Sequence, residues 1–480
     1  MKRTILLFTV LLSFQSFAQS QFSPDWNSLD SRPLPGWYQE AKFGIFIHWG
    51  IYSVPAFSKV GKYSEWYWHD LMKPNSPTRK FHESTYPVGF TYPDFVPFFD
   101  AIMFDPQQWA DIFKQSGAKY VVLTSKHHDG FCLWPSKEAN NSWGRPWNSA
   151  DTGPMRDLLD ELTNAVRNNN LEMGLYYSLY EWFNPLYISD VNLYVEKHMI
   201  PQFKDVVERY QPSLIFSDGE WEHPASTWRS AELLAWLFNE SSCKDKVVIN
   251  DRWGKGDRHK HGGYFTTEYG AGLPNSDNPW EENRGMAHSF GYSRTENYKD
   301  YNTTQELVYM LIDIVSRGGN FLLDIGPTSD GRIPVIMQER LIEMGQWLGI
   351  NGEAIYGTNC WVNTCQWSEG EIPDPGSKRD QADYNVMKLT VNPENGHARK
   401  EILFTQKEDQ LYCICPVYPK DKLTIRNLSL PDDAKVTMLG YSESLSWKKD
   451  GKNIEISVPY LTASEVPCEY AWTFKIENIE

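Results

Sequence analysis

The 480-residue sequence predicts an α/β protein: a (β/α)8-type barrel over residues 19–357, then a C-terminal antiparallel β-sandwich over residues 358–480. Three observations carry that expectation. Between about residues 40 and 350 short apolar runs alternate with amphipathic stretches, the β-α rhythm of a parallel sheet covered by helices. The polar tails of those runs collect histidines, carboxylates and an arginine, and barrels keep their chemistry at the C-terminal strand ends. Beyond residue 358 the texture changes to short, closely spaced alternating runs with turn residues between them.

The chain opens on MKRTILLFTVLLSFQSFAQS. Lys2 and Arg3 form a charged start, Ile5 to Phe14 an apolar run, and Ser16-Phe17-Ala18 a small-x-small cleavage pattern. This is an export leader over residues 1–18, too short for a membrane span of about 20 residues. Candidate strands follow at 43–50, 120–128, 172–179, 213–220, 246–254, 264–270 and 320–327. Their continuous apolar character suits parallel strands buried on both faces.

Helices are expected between them. Residues 154–170 place Pro154 in a first turn and space Met155, Leu158, Leu159, Leu162 and Val166 helically. Residues 303–320 open on a Thr303–Glu306 capping box and end on Gly318-Gly319, and residues 333–356 read as one long helix. A doubly wound open sheet is the competing topology, weakened by the absence of a G-x-G-x-x-G fingerprint. The sandwich strands are expected in KEILFTQ, QLYCICPVY, KLTIRNLSL, KVTMLG, NIEISV and YAWTFKI.

A formal charge of −16 argues against nucleic acid or an anionic membrane as partner, because both need basic surface. Aromatics make up 15% of the chain, an excess suited to stacking on sugar C–H faces. Seven cysteines leave at least one free thiol in an exported chain. The leader implies a periplasmic or secreted protein in a bacterium, the favoured source, and a lysosomal one in a eukaryote.

Five short stretches hold the candidate chemistry. In SKHHDG, His127 and His128 point to opposite faces of an extended strand and cannot easily share one metal. Either both rings turn into the barrel mouth just past the strand, or one lines the pocket and one is merely buried. No H-E-x-x-H or CxxC spacing occurs, so no metal site is expected. In SDGEWEHP, Asp218 ends an apolar run, with Glu220 and Glu222 close behind. SEWYWHD sets Glu65 beside Trp66, and INDRWG puts Arg252 at a strand end. The stretch from Tyr264 to Tyr292 holds Glu268 and Glu281, either of which could supply a second catalytic carboxyl group. Carboxylates on two sides of a sugar are what glycoside hydrolysis requires.

FGIFIHWGIYSVPAF, KYVVLTSKHHDGFCLWPS, LIFSDGEW, VVINDRWG, GGNFLLDIGPTSDG, INGEAIY and VPCEYAWTFKI together resemble the α-L-fucosidases of glycoside hydrolase family 29, most closely their broad-specificity branch. The likeness spans nearly the whole mature chain. It implies a retaining double displacement on terminal α-L-fucose without metal or organic cofactor. Asp218 matches the nucleophile. His48, Glu65, Trp66, His127, His128, Tyr176 and Arg252 match positions that contact fucose, and Phe290 matches an aromatic near its C5 methyl. The acid/base falls on Glu268, just past a strand-like run, with Glu281 the alternative. The implied partners are fucosylated oligosaccharides or glycoconjugates, with room for a homo-oligomer. A narrow α-1,3/4-fucosidase and a non-catalytic fucose-binding protein are the competing readings.

Overall fold

The computed structural model describes residues 21–273, 278–373 and 390–479, so the expected leader over residues 1–18 lies outside the described residues. Eight parallel strands form one curled, barrel-like sheet: β1 Phe43–Ile47, β2 Tyr120–Lys126, β3 Glu172–Ser178, β4 Leu214–Asp218, β5 Val248–Ile249, β6 Phe265–Glu268, β7 Trp280–Gly285 and β8 Gly319–Ile325. Their order is β5-β4-β3-β2-β1-β8-β7-β6. The two end strands meet through side chains and one backbone bond. Asp251 accepts the amide and hydroxyl of Thr266, Arg252 donates to that same hydroxyl, and the Tyr264 amide reaches the Ile249 carbonyl.

Strand parity decides which side chain faces which layer. Phe46, Val122, Tyr176, Leu214, Phe216, Val248 and Leu322 pack together inside the sheet. Their alternate neighbours, among them Ile45, Val121, Leu175, Ile215 and Leu323, join the larger core beneath the helices. Gly44 shares the inward parity of Phe46. A Cβ there would sit 2.4 Å from the Tyr120 ring, so this bulky ring fits only because its neighbour has no side chain.

β7 had no apolar signature. WEENRG is buried at every position yet mostly polar. Burial is tolerated because most of the polar groups are matched: Glu282 takes the Thr267 hydroxyl and the Gly270 amide, and Asn283 donates to the Thr267 carbonyl. A hydrophobic periodicity cannot reveal such a strand. The helix expected from Pro154 starts later, at Leu158–Asn168, because Asp157 caps it by accepting the Asp160 amide. Met155 instead takes a left-handed φ of 57° and stays exposed. The Thr303–Glu306 capping box forms as read, opening the helix Thr304–Ser316.

The C-terminal region adds β9 Asn359–Trp367, β10 Lys400–Lys407, β11 Gln410–Cys415, β12 Lys422–Ile425, β13 Lys435–Met438, β14 Trp447–Asp450, β15 Asn453–Ser457 and β16 Trp472–Glu477. They make a five-stranded and a three-stranded antiparallel sheet with a shared core of their own. Cys413 and Cys415 both point into it, and all seven cysteines are free thiols.

The sandwich is fastened to the barrel through the helix Thr304–Ser316. Asp313 is fully buried and receives both Lys400 from β10 and Arg317, the latter at 2.6 Å. Tyr309 donates across the same seam to the Pro416 and Tyr470 carbonyls. Burial raises the proton affinity of the Asp313 carboxyl, but Arg317 and Lys400 more than offset this and hold it below the usual carboxylate range. The pair therefore stabilises the fold above ordinary carboxylate pKa values and fails only in strong acid. Asp313→Ala leaves a buried ammonium without its anion, at a cost of about 3–5 kcal/mol. Calorimetry should show a lower first transition for this variant; an unchanged profile would mean that the seam is held by apolar contact alone.

Candidate active site

The C-terminal ends of the strands surround a cavity of about 200 Å³. At about 30 Å³ per water this is the space of roughly seven waters, the scale of one monosaccharide. Ten of the residues expected at the site line it: His48, Glu65, Trp66, His127, His128, Tyr176, Asp218, Arg252, Glu268 and Phe290. Asp218 and Tyr176 arrive by parity, two residues or none beyond inward core positions of β4 and β3. His48 lies two residues past inward Phe46. Both His127 and His128 follow the last residue of β2, so neither is bound by strand alternation and both rings face the cavity, 4.0 Å apart.

Arg252 organises the carboxylates. Its Nη1 donates to Asp218 Oδ1 at 2.9 Å, its Nη2 to Glu268 Oε2 at 3.1 Å, and its Nε to Thr266. The other Asp218 oxygen accepts the Tyr176 hydroxyl at 2.9 Å, with His128 Nε2 at 3.6 Å. Burial pushes the Asp218 carboxyl up, but the Arg252 guanidinium, with Arg258 beyond it, holds it below the ordinary range. Asp218 is therefore an anion at any working pH, as a nucleophile must be. Gly219 lets the chain turn away at once. Its φ is 77°, and a Cβ there would lie 2.2 Å from the Tyr180 ring.

The histidines are neutral, because burial drives His127 down to about 3 and His128 well below the usual value. The Ser178 hydroxyl spends its one proton on the Tyr180 carbonyl at 2.6 Å. It can then only accept from His128 Nδ1, also at 2.6 Å. His128 thus carries its proton on Nδ1 and turns a bare Nε2 toward the cavity, an acceptor for a sugar hydroxyl.

One wall is apolar. Phe290 stacks on His48 at 4.8 Å, with the Phe46 and Tyr63 rings around it. One buried and one half-buried carboxyl hold the Phe290 loop in place. Glu65 accepts the Gly291 amide at 2.9 Å and the Ser289 hydroxyl at 3.2 Å, and Glu296 accepts the His288 and Ser289 amides. Burial raises Glu65 to about 7 and Glu296 to about 8.

Glu281, the alternative to Glu268 in the sequence reading, stands apart from the other expected site residues. It does not line the cavity. It stands near the start of β7, inside the opposite end of the barrel, and accepts the Tyr38 hydroxyl at 3.0 Å and the Tyr120 hydroxyl at 2.5 Å. Spacing could not distinguish it from Glu268, because the β7 strand that carries it was invisible. Six lining residues were not among the expected site residues: Phe46 and Phe216, read only as strand positions, and Tyr63, Trp221, Arg258 and Asn283. Tyr63 donates to Glu268 Oε1 at 3.0 Å. Arg258 lies 3.5 Å from Asp218 and 2.6 Å from Glu220. It sits in the charged loop KGDRHKH, where nothing marks one cation above its neighbours.

A family model described as Alpha-L-fucosidase matches residues 9–353, and one described as its C-terminal domain matches residues 394–477. The tissue α-L-fucosidase of Homo sapiens is 42% identical, over 99% of this chain and 97% of that protein. An α-L-fucosidase of Dictyostelium discoideum is 39% identical over the full length of both. The crystal structure of the Thermotoga maritima α-fucosidase with a mechanism-based inhibitor superposes with a TM-score of 0.78, at 34% identity, over 95% of this chain and 100% of that one.

Burial raises the Glu281 carboxyl to about 7, so the folded state favours its neutral form. The stability this confers is complete below the unfolded pKa near 4.3 and is lost as pH rises toward 7, an amount of roughly 2–4 kcal/mol. Glu281→Gln should flatten that decline in melting temperature and retain glycoside cleavage. Loss of cleavage in a folded Glu281→Gln protein would return this residue to the reaction.

Proposed function

The chain belongs to the α-L-fucosidase family, and from that premise we propose a retaining double displacement with Asp218 as nucleophile and Glu268 as acid/base. It is a glycoside hydrolase with a fucosidase function. The observation that carries the residue assignment is the single guanidinium of Arg252 holding Asp218 and Glu268 side by side at the cavity.

In the first step a carboxylate oxygen of Asp218 bonds to the anomeric carbon as the glycosidic C–O bond breaks. Glu268 gives its proton to the departing oxygen. In the second, Glu268 takes a proton from water, the water oxygen attacks the same carbon, and the ester bond to Asp218 breaks to release fucose. The exposures fit this division. The Asp218 side chain is 11% exposed, as suits a charge that must be desolvated to attack. That of Glu268 is 28% exposed, open to leaving group and water. His48, Glu65, His127, His128 and Arg252 would hold ring hydroxyls, and Trp66 and Phe290 would supply apolar faces. Fucose is 6-deoxy, so its C5 methyl belongs on the Phe290 wall.

The substrates are fucosylated glycans. We assign catalysis to the unit of residues 19–357 and no chemistry to residues 358–480. No helix among the described residues is long and apolar enough to cross a membrane. The charged start, short apolar run and Ala18 cleavage pattern support export, to the periplasm or medium of a bacterium.

Hydrolysis of 4-nitrophenyl α-L-fucoside tests the assignment. Asp218→Ala should lose more than about a thousandfold in kcat. Glu268→Ala should still form its ester with this activated leaving group and then stall, and added azide should speed it and yield fucosyl azide of retained configuration. On a poor leaving group the same variant should lose about 10²–10⁴-fold. Azide rescue of Glu281→Ala instead, or an active Asp218→Ala protein, would overturn the roles.

A further inference from the structure

We propose that Asp324 is a positioning residue: as a neutral carboxylic acid it donates its proton to His48 Nδ1, so that His48 presents Nε2–H to the sugar cavity. Asp324 lies on β8, next to β1, and its Oδ1 sits 2.6 Å from His48 Nδ1. Both residues are buried, Asp324 at 1% and His48 at 4% exposure. The inference rests on the sugar assignment above and adds the polarity of one contact.

The supply of donors decides the protonation. Asp218 receives Arg252 and Tyr176, and Glu65 receives an amide and a hydroxyl. Asp324 has no such supply: its Oδ2 is buried with no hydrogen-bond partner. An ionised carboxylate there would bury a charge against a single donor, which is far costlier than burying the neutral acid. The nearby Glu65 carboxyl adds repulsion. The imidazole is equally discouraged from a second proton, since burial and the neighbouring His127 lower its pKa. With both partners neutral, only one arrangement uses the acid proton. The carboxyl O–H donates to Nδ1, and the ring proton resides on Nε2. His48 then donates where His128 accepts, so the two imidazoles read sugar hydroxyls of opposite polarity.

The other titratable groups facing the pair are His127 beyond β2, Asp218 on β4, Arg252 beyond β5, Glu65 and Tyr52 after β1, and Tyr269 after β6. All are retained in Asp324→Asn, whose amide can donate the same bond but cannot ionise.

The test reads the tautomer in the ligand-free protein, so it stands or falls apart from the sugar assignment. Long-range proton–nitrogen spectra of ¹⁵N-histidine-labelled enzyme are recorded from acid to alkaline pH, with His48 assigned through His48→Gln. The wild type should show the proton on Nε2 and move it to Nδ1 as Asp324 ionises at high pH. Asp324→Asn should keep it on Nε2 throughout. L-Fucose affinity should fall about tenfold across the wild-type switch, the loss of one buried hydrogen bond. That step should be missing in Asp324→Asn. Asp324→Leu, checked for folding by near-ultraviolet circular dichroism, should bind fucose weakly at every pH. A wild-type His48 protonated on Nδ1 in acid, or a switch that persists in Asp324→Asn, overturns the proposal.

Discussion

The site depends on one buried cation. Arg252 takes a carboxylate on each terminal nitrogen and anchors its Nε on Thr266, so one planar group fixes the relation between β4, β5 and β6. Its guanidinium also lies over the Phe216 ring at 4.9 Å, the last inner core residue of β4 before Asp218. Burying such a charge is costly, and a lone ion pair often fails to repay it. Here the pull of Asp218, with Glu268 and Glu220 beside it, outweighs burial and raises the pKa of the cation further. A lysine could not hold both carboxylates in one plane.

The rest of the barrel delivers groups to that cation. The same alternation that packs Phe46, Phe216 and Leu322 inside the sheet carries His48, Asp218 and Asp324 to the rim two residues later. Chemistry and core are therefore one pattern read further along each strand. The Phe290 loop is different. No strand carries it, and it is positioned by Glu65 and Glu296 accepting its backbone amides. These two acids, both raised by desolvation, tie the shape of the apolar wall to proton occupancy.

The lower end of the barrel shows the converse. Tyr38, Tyr120, Tyr264 and Glu281 pack together there. Glu281 is buried, raised in pKa and ringed by aromatic groups, all marks of a catalytic acid. It lies at the wrong end. A perturbed carboxyl group signals desolvation first, and only its place relative to a cavity says whether substrate can reach it.

The sequence by itself determined seven of the eight barrel strands, the Thr303 helix cap, the change of texture near residue 358, and ten of the sixteen residues now found at the cavity. These were legible because apolar runs, caps and strand-end polar residues are local patterns with local causes. The tertiary structure alone decided the rest. It revealed β7, whose buried polar residues are satisfied by groups on other strands. It separated Glu268 from Glu281, placed Arg258 beside Asp218, and brought Asp324 to His48 across 276 residues of chain. Each of these is a pairing between groups remote in sequence. Burial and hydrogen-bond partners are properties of the space a residue enters, and linear spacing does not encode that space.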